Sequence, residues 1–232
     1  MIDRLTRRLL WAGIAGPVVF IGTFLILGAT RPGYDPARVF VSQLSLGDSG
    51  WVQVVNFVVT GGLLIAFAVG LERLLRTGPG STWGPRLVGA VGFGLIIAGV
   101  FVADPALGYP PGTPGGLTMN PSDHGAVHLL GALFVFGGLP IATFAFARRF
   151  RAAGRSWAAL WSVAAGVGML ACFVAANISA NGGPSMDGVA GLLQRLAVTA
   201  GFTWLVALGP SLTGMRTTEP RTAAPPIVRA RA

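Results

Sequence analysis

The two histidines of the chain, His124 and His128, stand four residues apart in a stretch with helical character. Residues at i and i+4 lie on one face of a helix, and this spacing lets two imidazoles bind one metal ion. Catalytic zinc takes three protein ligands and a water, and either Asp104 or Asp123 would supply the third. The motif lacks the glutamate of a zincin, so we favour the structural alternative. In that alternative, His124 lies at the membrane interface and His128 hydrogen-bonds to a neighbouring helix.

Arg195 is a second candidate because it lies inside the last apolar stretch, next to Gln194. A charged side chain there is costly unless it is paired or hydrated. Two interpretations are open. The first is a buried ion pair with an aspartate of the same membrane side (Asp35, Asp104 or Asp123). The second is an outward cavity in which the guanidinium binds an anionic group, such as a lipid phosphate, through its two-pronged donor geometry.

Ser42 and Ser45 precede the second apolar stretch on this same side. A serine nucleophile needs a positioned base, which His124 or His128 would supply. However, no glycine pattern of a nucleophile elbow surrounds either serine. We therefore favour capping of the following helix as the role of both serines.

The composition decides which class of protein must position these residues. Of the 232 residues, 53% are hydrophobic and 11% are charged, whereas soluble domains have about 45–50% and about 25%. These values exclude a disordered chain, a coiled coil and an ordinary cytosolic enzyme. Cys172 is the only cysteine, so no intrachain disulfide can form. A multi-pass membrane protein remains.

Six apolar stretches are long enough to cross a bilayer, which takes about 20 helical residues. They lie near residues 10–30, 51–71, 85–103, 124–147, 156–180 and 188–212. None shows the alternation of a transmembrane β-strand. The sequence thus predicts an all-α integral membrane bundle of six helices within residues 1–212.

The arginines are distributed unequally along the chain and predict its orientation. Fourteen of the 17 fall in the N-terminal segment, the second and fourth loops and the C-terminal tail, which six spans place on one side. Basic residues concentrate in cytoplasmic segments, so both termini are predicted to be cytoplasmic. Residues 213–232 are predicted to be a disordered basic tail attracted to anionic lipid. The arginines form no single basic face, so no nucleic-acid partner is expected.

Small residues recur at every fourth position in two of the predicted spans, and helices in lipid associate along such stripes. The two stripes are Ala90, Gly94 and Ala98 in the third span, and Ala164, Gly168, Cys172, Ala176 and Ala180 in the fifth. We expect both stripes to pack inside the bundle. Asn56 and Asn177 lie at membrane depth, where interhelical hydrogen bonds would satisfy their amides.

Five short motifs are spread over the spans and the loops of the outer side. They are Val41-Ser-Gln-Leu-Ser45, Asn56-Phe57 with Thr60-Gly-Gly-Leu-Leu64, Val102-Ala-Asp-Pro-Ala-Leu-Gly-Tyr-Pro-Pro-Gly112, His124-Gly-Ala-Val-His-Leu-Leu130 and Gly191-Leu-Leu-Gln-Arg-Leu196. Together, over about residues 10–212, they resemble a bacterial membrane family called domain of unknown function 998. The resemblance implies a multi-helix membrane protein whose polar residues gather on one side, and it implies no established activity.

The residue types are also similar, more loosely, to those of intramembrane zinc hydrolases of the alkaline ceramidase type. Ser42 or Ser45, Asp104, His124 and His128 supply the serine, the aspartate and the histidine pair. That superfamily uses seven helices and three histidines, whereas this chain has six predicted spans and two histidines. This similarity implies the alternative function, a metal-dependent lipid or amide hydrolase with zinc as its cofactor.

The leading hypothesis from the sequence is a plasma-membrane protein with an outward-facing polar pocket. The pocket would bind a membrane lipid or a small anionic ligand, without covalent chemistry and without a cofactor. Its predicted residues are Asp104, Asp123, His128, Gln194 and Arg195. The oligomeric state stays open.

Overall fold

A computed structural model describes residues 2–182 and 188–217. Within these residues the structure is helical and has no β-strand. The helices are α1 (Arg4–Thr30), α2 (Trp51–Leu74), α3 (Trp83–Val100), α4 (Asp123–Leu133), α5 (Leu139–Ala152), α6 (Ser156–Ala180) and α7 (Ala190–Thr217). A 3₁₀ helix, Val41–Ser45, lies between α1 and α2, and a π-helical segment, Phe134–Gly138, joins α4 to α5.

Six helical stretches of the described chain are long and apolar enough to cross a membrane. The fourth is the continuous stretch Asp123–Ala152, which comprises α4, the π-helical segment and α5. The predicted six-helix membrane bundle is therefore confirmed. An even number of spans returns the chain to its starting side, and Gly209 of α7 indeed packs near the carbonyl of Leu10 in α1. We call this the termini end, and the opposite end, with residues 31–50 and 101–122, the loop end.

The first and last spans are longer than the sequence predicts. Helix α1 begins at Arg4 because the carboxylate of Asp3 caps it, accepting hydrogen bonds at 2.8 Å from the amide and the hydroxyl of Thr6. These bonds lower the pKa of Asp3 to about 2. Helix α7 continues to Thr217, so the first residues of the predicted disordered tail are helical. The remainder of that predicted tail, residues 218–232, lies outside the described residues.

Paired glycines let the backbone of α3 come into direct contact with the backbones of α2 and α4. A Cβ on Gly61 of α2 would lie 2.5 Å from the carbonyl oxygen of Gly92 in α3. A Cβ on Gly94 would likewise lie 2.7 Å from the carbonyl oxygen of Gly131 in α4. The predicted stripe of the third span is thus confirmed around Gly94 and Ala98, which is also buried.

The predicted stripe of the fifth span is wrong over the N-terminal half of α6. Ala164 is exposed and a Cβ on Gly168 would meet open space, whereas Ala176 and Ala180 are buried. The physical reason is geometric. Four residues rotate a helix by about 400°, so a strict four-residue repeat drifts by about 40° per step and about 160° from Ala164 to Ala180.

The helices pack largely in chain order, and α7 returns to α1 to close the bundle. At the termini end α5 packs against α6, whereas at the loop end α4 packs against α3. Helices α4 and α6, both wholly within the described residues, share at most a marginal contact. The bundle therefore has a gap between α4 and α6 at the loop end.

The π-helical segment Phe134–Gly138 is where the fourth span changes its packing partner. Pro140 follows it in the first turn of α5. Proline has no amide hydrogen and its ring clashes with the preceding turn, so the helix must adjust there. The widened turn buries Val135 and Phe136 and directs them to the gap between α4 and α6. Such π segments occur frequently at functional sites.

Candidate functional site

A cavity of about 190 Å³ lies at the loop end of the bundle, in the gap between α4 and α6. It is larger than the cavity of about 150 Å³ that admits benzene to a protein core. Most of its walls are apolar, with the rings of Phe20, Phe57, Phe136 and Phe202 among them. The polar residues that reach it are Ser42, Gln43, Asp104, Thr118, His128, Asn177 and Gln194. The predicted polar pocket is thus an apolar cavity with a few polar groups.

The cavity extends towards the outer surface of the bundle between α4 and α6. Leu129 of α4 lines it and is also 59% exposed. Phe173 and Asn177 of α6 line both the cavity and a shallow groove on the outer surface of that helix. Towards the termini end, Phe136 stacks on Phe173 with ring centroids 4.0 Å apart, which joins the fourth span to α6. On the loop-end side of this stacked pair, the residues that line the cavity between α4 and α6 also reach the outer surface of the bundle.

His128 is buried in the cavity wall and is held by the end of α3. Its Nδ1 lies 3.0 Å from the carbonyl oxygen of Ala98 and 2.9 Å from that of Phe101. Because both partners are acceptors, Nδ1 carries a proton, and in the neutral ring Nε2 then presents a lone pair. Both hydrogen bonds that His128 makes to described residues use Nδ1, and neither uses Nε2. His128 thus hydrogen-bonds a neighbouring helix, as the structural interpretation predicts, and offers one acceptor to the cavity.

The structure does not join His124 to the cavity, although it lies one turn from His128. His124 and Asp123 are exposed, and the His124 ring packs at 5.4 Å from that of Phe101. In the described part of the chain, no three His, Cys, Asp or Glu side chains come close enough to hold a metal ion. His124, His128 and Asp104 therefore form no three-ligand set of the kind that the hydrolase hypothesis needs.

Asp104 lines the cavity, but its carboxylate is engaged at the start of α4. It accepts hydrogen bonds from the amide (2.8 Å) and the hydroxyl (2.6 Å) of Ser122, the residue that caps α4. A carboxylate at a helix N-terminus is stabilised by the helix dipole. Gln43 holds the adjacent backbone, donating to the Asp104 carbonyl at 3.0 Å and accepting from the amide of Ala106 at 3.2 Å. Asp104 therefore anchors the loop after α3.

Arg195 is buried beside the cavity, not in its lining, and binds backbone carbonyls instead of an anion. Its Nη1 donates to the carbonyls of Pro36 (2.6 Å), Val39 (2.9 Å) and Gly191 (3.1 Å), and its Nη2 donates to the hydroxyl of Tyr34. The guanidinium also lies 5.5 Å from the centre of the Tyr34 ring. Arg195 thus fastens the loop after α1 to α7.

The predicted ion pair of Arg195 with Asp35, Asp104 or Asp123 is wrong. The one ion pair within the described residues joins Arg73 to Asp3 at the termini end, 3.5 Å apart. The loop after α1 instead turns its own carbonyls towards α7, and these satisfy the guanidinium without a carboxylate. The structure therefore places no cationic side chain of the described chain in the cavity lining.

The sequence profile of a family described as "Protein of unknown function (DUF998)" matches residues 14–210. The chain belongs to the DUF998 family. No curated protein and no solved structure matches it. The cavity lining, from Phe20 to Phe202, falls entirely inside the DUF998 region.

Gln194 and Asn177 each keep part of an amide free for the DUF998 cavity. The Oε1 of Gln194 accepts from the amide of Val41 at 2.7 Å, which identifies the remaining side-chain atom as the NH₂ donor. The Nδ2 of Asn177 donates to the carbonyl of Phe173 at 2.8 Å, which leaves Oδ1 as an acceptor. The predicted interhelical hydrogen bond of Asn177 is therefore wrong, because this amide bonds within α6. Asn56 does bond between helices, to the carbonyl of Phe20 at 3.2 Å.

Neither serine caps the second span. Gly50 is the N-cap of α2 and makes no side-chain hydrogen bond, because the 3₁₀ helix intervenes between the serines and α2. The hydroxyl of Ser45 donates to the carbonyl of Ser42 inside this 3₁₀ helix. Ser42 is half-buried and lines the cavity. The expected capping role is thus wrong for both serines.

Sequence reasoning missed Gln43, which the structure places at the centre of the loop end. Gln43 is 4% exposed and bonds both sides of Pro105. A signal was available, since Gln43 and Asp104 occur in two of the motifs by which the chain resembles its family. The motifs alone did not indicate that these residues contact each other.

Proposed function

We propose that this DUF998 protein binds a membrane lipid or a lipid-like molecule in the cavity at the loop end, without covalent chemistry. The observation that carries the proposal is an apolar cavity that opens laterally between α4 and α6. Apolar pockets with a few convergent polar groups are the usual form of ligand sites. The cavity accepts an apolar segment somewhat larger than benzene, so the remainder of a lipid would lie in the opening.

The lateral opening supports entry from the bilayer. Leu129 belongs both to the cavity wall and to the exposed surface of α4, so an acyl or prenyl segment passing it never leaves apolar surroundings. A ligand from water would have to cross the loop end instead. There the loop after α3 is fastened to the 3₁₀ helix by Gln43 and to α4 by Asp104.

The anionic-ligand part of the sequence hypothesis has little support. Arg195 gives its donors to carbonyls, and Asp104 is the one charged residue among the described residues that line the cavity. An anion in the cavity would lack a counter-charge, and burying an unpaired charge is costly. We also propose, from the arginine distribution alone, that the loop end faces outwards from the plasma membrane.

Photo-crosslinking with an alkyl diazirine tests the proposal on the full chain in lipid nanodiscs. We expect label on the peptides that contain Phe20 and Phe202, because both side chains line the cavity and are almost fully buried, so that the probe must enter the cavity to reach them. Ala132→Phe should fill the cavity, because Ala132 lines it and is half-buried. A loss of about 1.4 kcal/mol in the binding free energy of the probe should lower the labelling of these peptides about tenfold.

The matched control is Ala164→Phe, the same substitution at an exposed position of α6 outside the cavity. It should leave the labelling unchanged. The proposal fails if Ala132→Phe, in protein that unfolds like the wild type, leaves the label at Phe20 and Phe202 as strong as before. It also fails if these peptides take up no more label than the exposed face of α6.

A further inference from the structure

The apolar walls of the cavity cannot by themselves select a ligand. A lipid chain that moves from the bilayer into the cavity leaves one apolar medium for another, so it gains no hydrophobic free energy. Selection between lipids with different polar ends must therefore come from the hydrogen-bonding groups that face the cavity. These groups define what the polar end of the ligand must offer.

Two of these groups are acceptors. His128 is 5% exposed, its Nδ1–H is shared by the carbonyls of Ala98 and Phe101, and its Nε2 is left with a lone pair. Asn177 uses its amide hydrogen on the carbonyl of Phe173, which leaves Oδ1. A ligand that satisfies either group must bring a hydrogen-bond donor.

A third group is a donor. Gln194 is 6% exposed, and its Oε1 is fixed by the amide of Val41 at 2.7 Å. No hydrogen bond between Gln194 and the described residues uses its NH₂ group. A ligand that satisfies Gln194 must bring an acceptor, and a buried group left unpaired costs about 1–3 kcal/mol.

The charge of the ligand's polar end further restricts which chemical groups fit the cavity. A carboxylate or a phosphate has acceptors but no donor for His128, and it would enter a cavity whose one charged lining residue among those described, Asp104, is also negative. An ammonium group has donors but no acceptor for Gln194. A hydroxyl group carries both a donor and an acceptor and has no charge.

We infer that the cavity selects a lipid alcohol, an uncharged chain whose terminal hydroxyl donates to His128 Nε2 and accepts from the Gln194 amide. This inference rests on the proposed function, because it names the class of lipid that the same cavity takes. Asn177 Oδ1 is a second acceptor for that hydroxyl.

Competition against the diazirine probe tests the inference with four twelve-carbon competitors: dodecanol, its methyl ether, dodecanoate and dodecylamine. The ether keeps the acceptor of the alcohol and lacks its donor. Leaving His128 Nε2 unpaired should make the ether about tenfold weaker than the alcohol, which corresponds to about 1.4 kcal/mol. Dodecanoate and dodecylamine should also compete more weakly than dodecanol.

His128→Asn isolates the acceptor, because the asparagine amide can still donate to the carbonyls of Ala98 and Phe101 but has no atom in place of Nε2. We expect this variant to bind alcohol and ether equally. His124→Asn is the matched control, since His124 is exposed and outside the cavity lining, and it should keep the tenfold preference.

The outcomes separate the inference from the proposed function. If all four competitors displace the probe equally and Ala132→Phe still lowers labelling about tenfold, the cavity binds lipid but the inference is wrong. A tighter dodecanoate or dodecylamine overturns it as well, as does a preference for alcohol that persists in His128→Asn. If the cavity peptides are never labelled, the proposed function itself fails.

Discussion

Replacing Arg195 with alanine should weaken the fold without removing a ligand contact. The guanidinium joins α7 to the loop after α1 through the carbonyls of Pro36 and Val39 and the hydroxyl of Tyr34, with a further bond to Gly191 in its own helix. The substitution leaves the Pro36 carbonyl without this donor in an apolar environment. We therefore expect destabilisation, although the removed charge was itself costly to bury.

The magnitude follows from the four hydrogen bonds. At about 0.6–1 kcal/mol for each hydrogen bond in a membrane, their loss should lower the free energy of unfolding by about 2–4 kcal/mol. The loop stays attached through two backbone bonds, from the amide of Gly191 to Arg38 and from that of Leu192 to Ala37. The variant should therefore still fold. Arg195→Lys should lower the free energy of unfolding by an intermediate amount, because an ammonium group cannot reproduce the planar donor geometry of the guanidinium.

Reversible unfolding in mixed micelles, followed by the fluorescence of the six tryptophans, measures this loss. Arg38→Ala is the control, because Arg38 lies exposed in the same loop, and substitutions of this kind stay within about 0.5 kcal/mol. The reasoning is refuted if Arg195→Ala is no less stable than Arg38→Ala. A folded Arg195→Ala variant that loses the diazirine label from the cavity would instead return Arg195 to the ligand site.

Three further predictions concern the loop end, the helix packing and the orientation. Burial raises the pKa of Tyr34 from 10.0 to about 12. In Tyr109→Phe, which leaves Tyr34 as the sole tyrosine, phenolate absorbance should therefore appear near pH 12. Because the folded state holds this proton more tightly, the associated stability is complete below about pH 10 and is lost as the pH rises to about 12. Gly61→Ala should destabilise the fold by about 1–3 kcal/mol through its clash with Gly92, whereas Gly62→Ala, whose Cβ meets open space, should not. A C-terminal alkaline phosphatase fusion should be inactive if the termini are cytoplasmic, and activity would reverse the predicted orientation.

Hydropathy predicted the spans because it is a local property. Each span needs only about 20 consecutive apolar residues, and the contacts that it later makes do not change that requirement. The helix ends were less predictable, because α1 begins at a cap on Asp3 and α7 continues beyond the apolar stretch. The π-helical segment at Phe134–Gly138 also gave no signal in hydropathy.

The sequence pointed to several residues of the site, but it was a poorer guide to the role of each one. Arg195 and His128 drew attention by type, since ionisable side chains inside spans are rare. Their partners are remote in the chain: Pro36 is 159 positions from Arg195, and Ala98 is 30 positions from His128. For His128 the sequence favoured a hydrogen bond to a neighbouring helix over a metal but could not name the carbonyls that accept it. For Arg195 it left an ion pair and an anionic ligand open, where the structure has carbonyls.

The sequence by itself determined the all-helical membrane fold, the family and the set of polar residues near one end of the bundle. These follow from runs and motifs that are contiguous in the chain. Only the tertiary structure decided that α4 packs on α3 and not on α6. This packing creates the cavity between α4 and α6. It also decided which donor or acceptor atom of each polar side chain stays available to a ligand. Both depend on distances between segments far apart in sequence, and no local pattern encodes those distances.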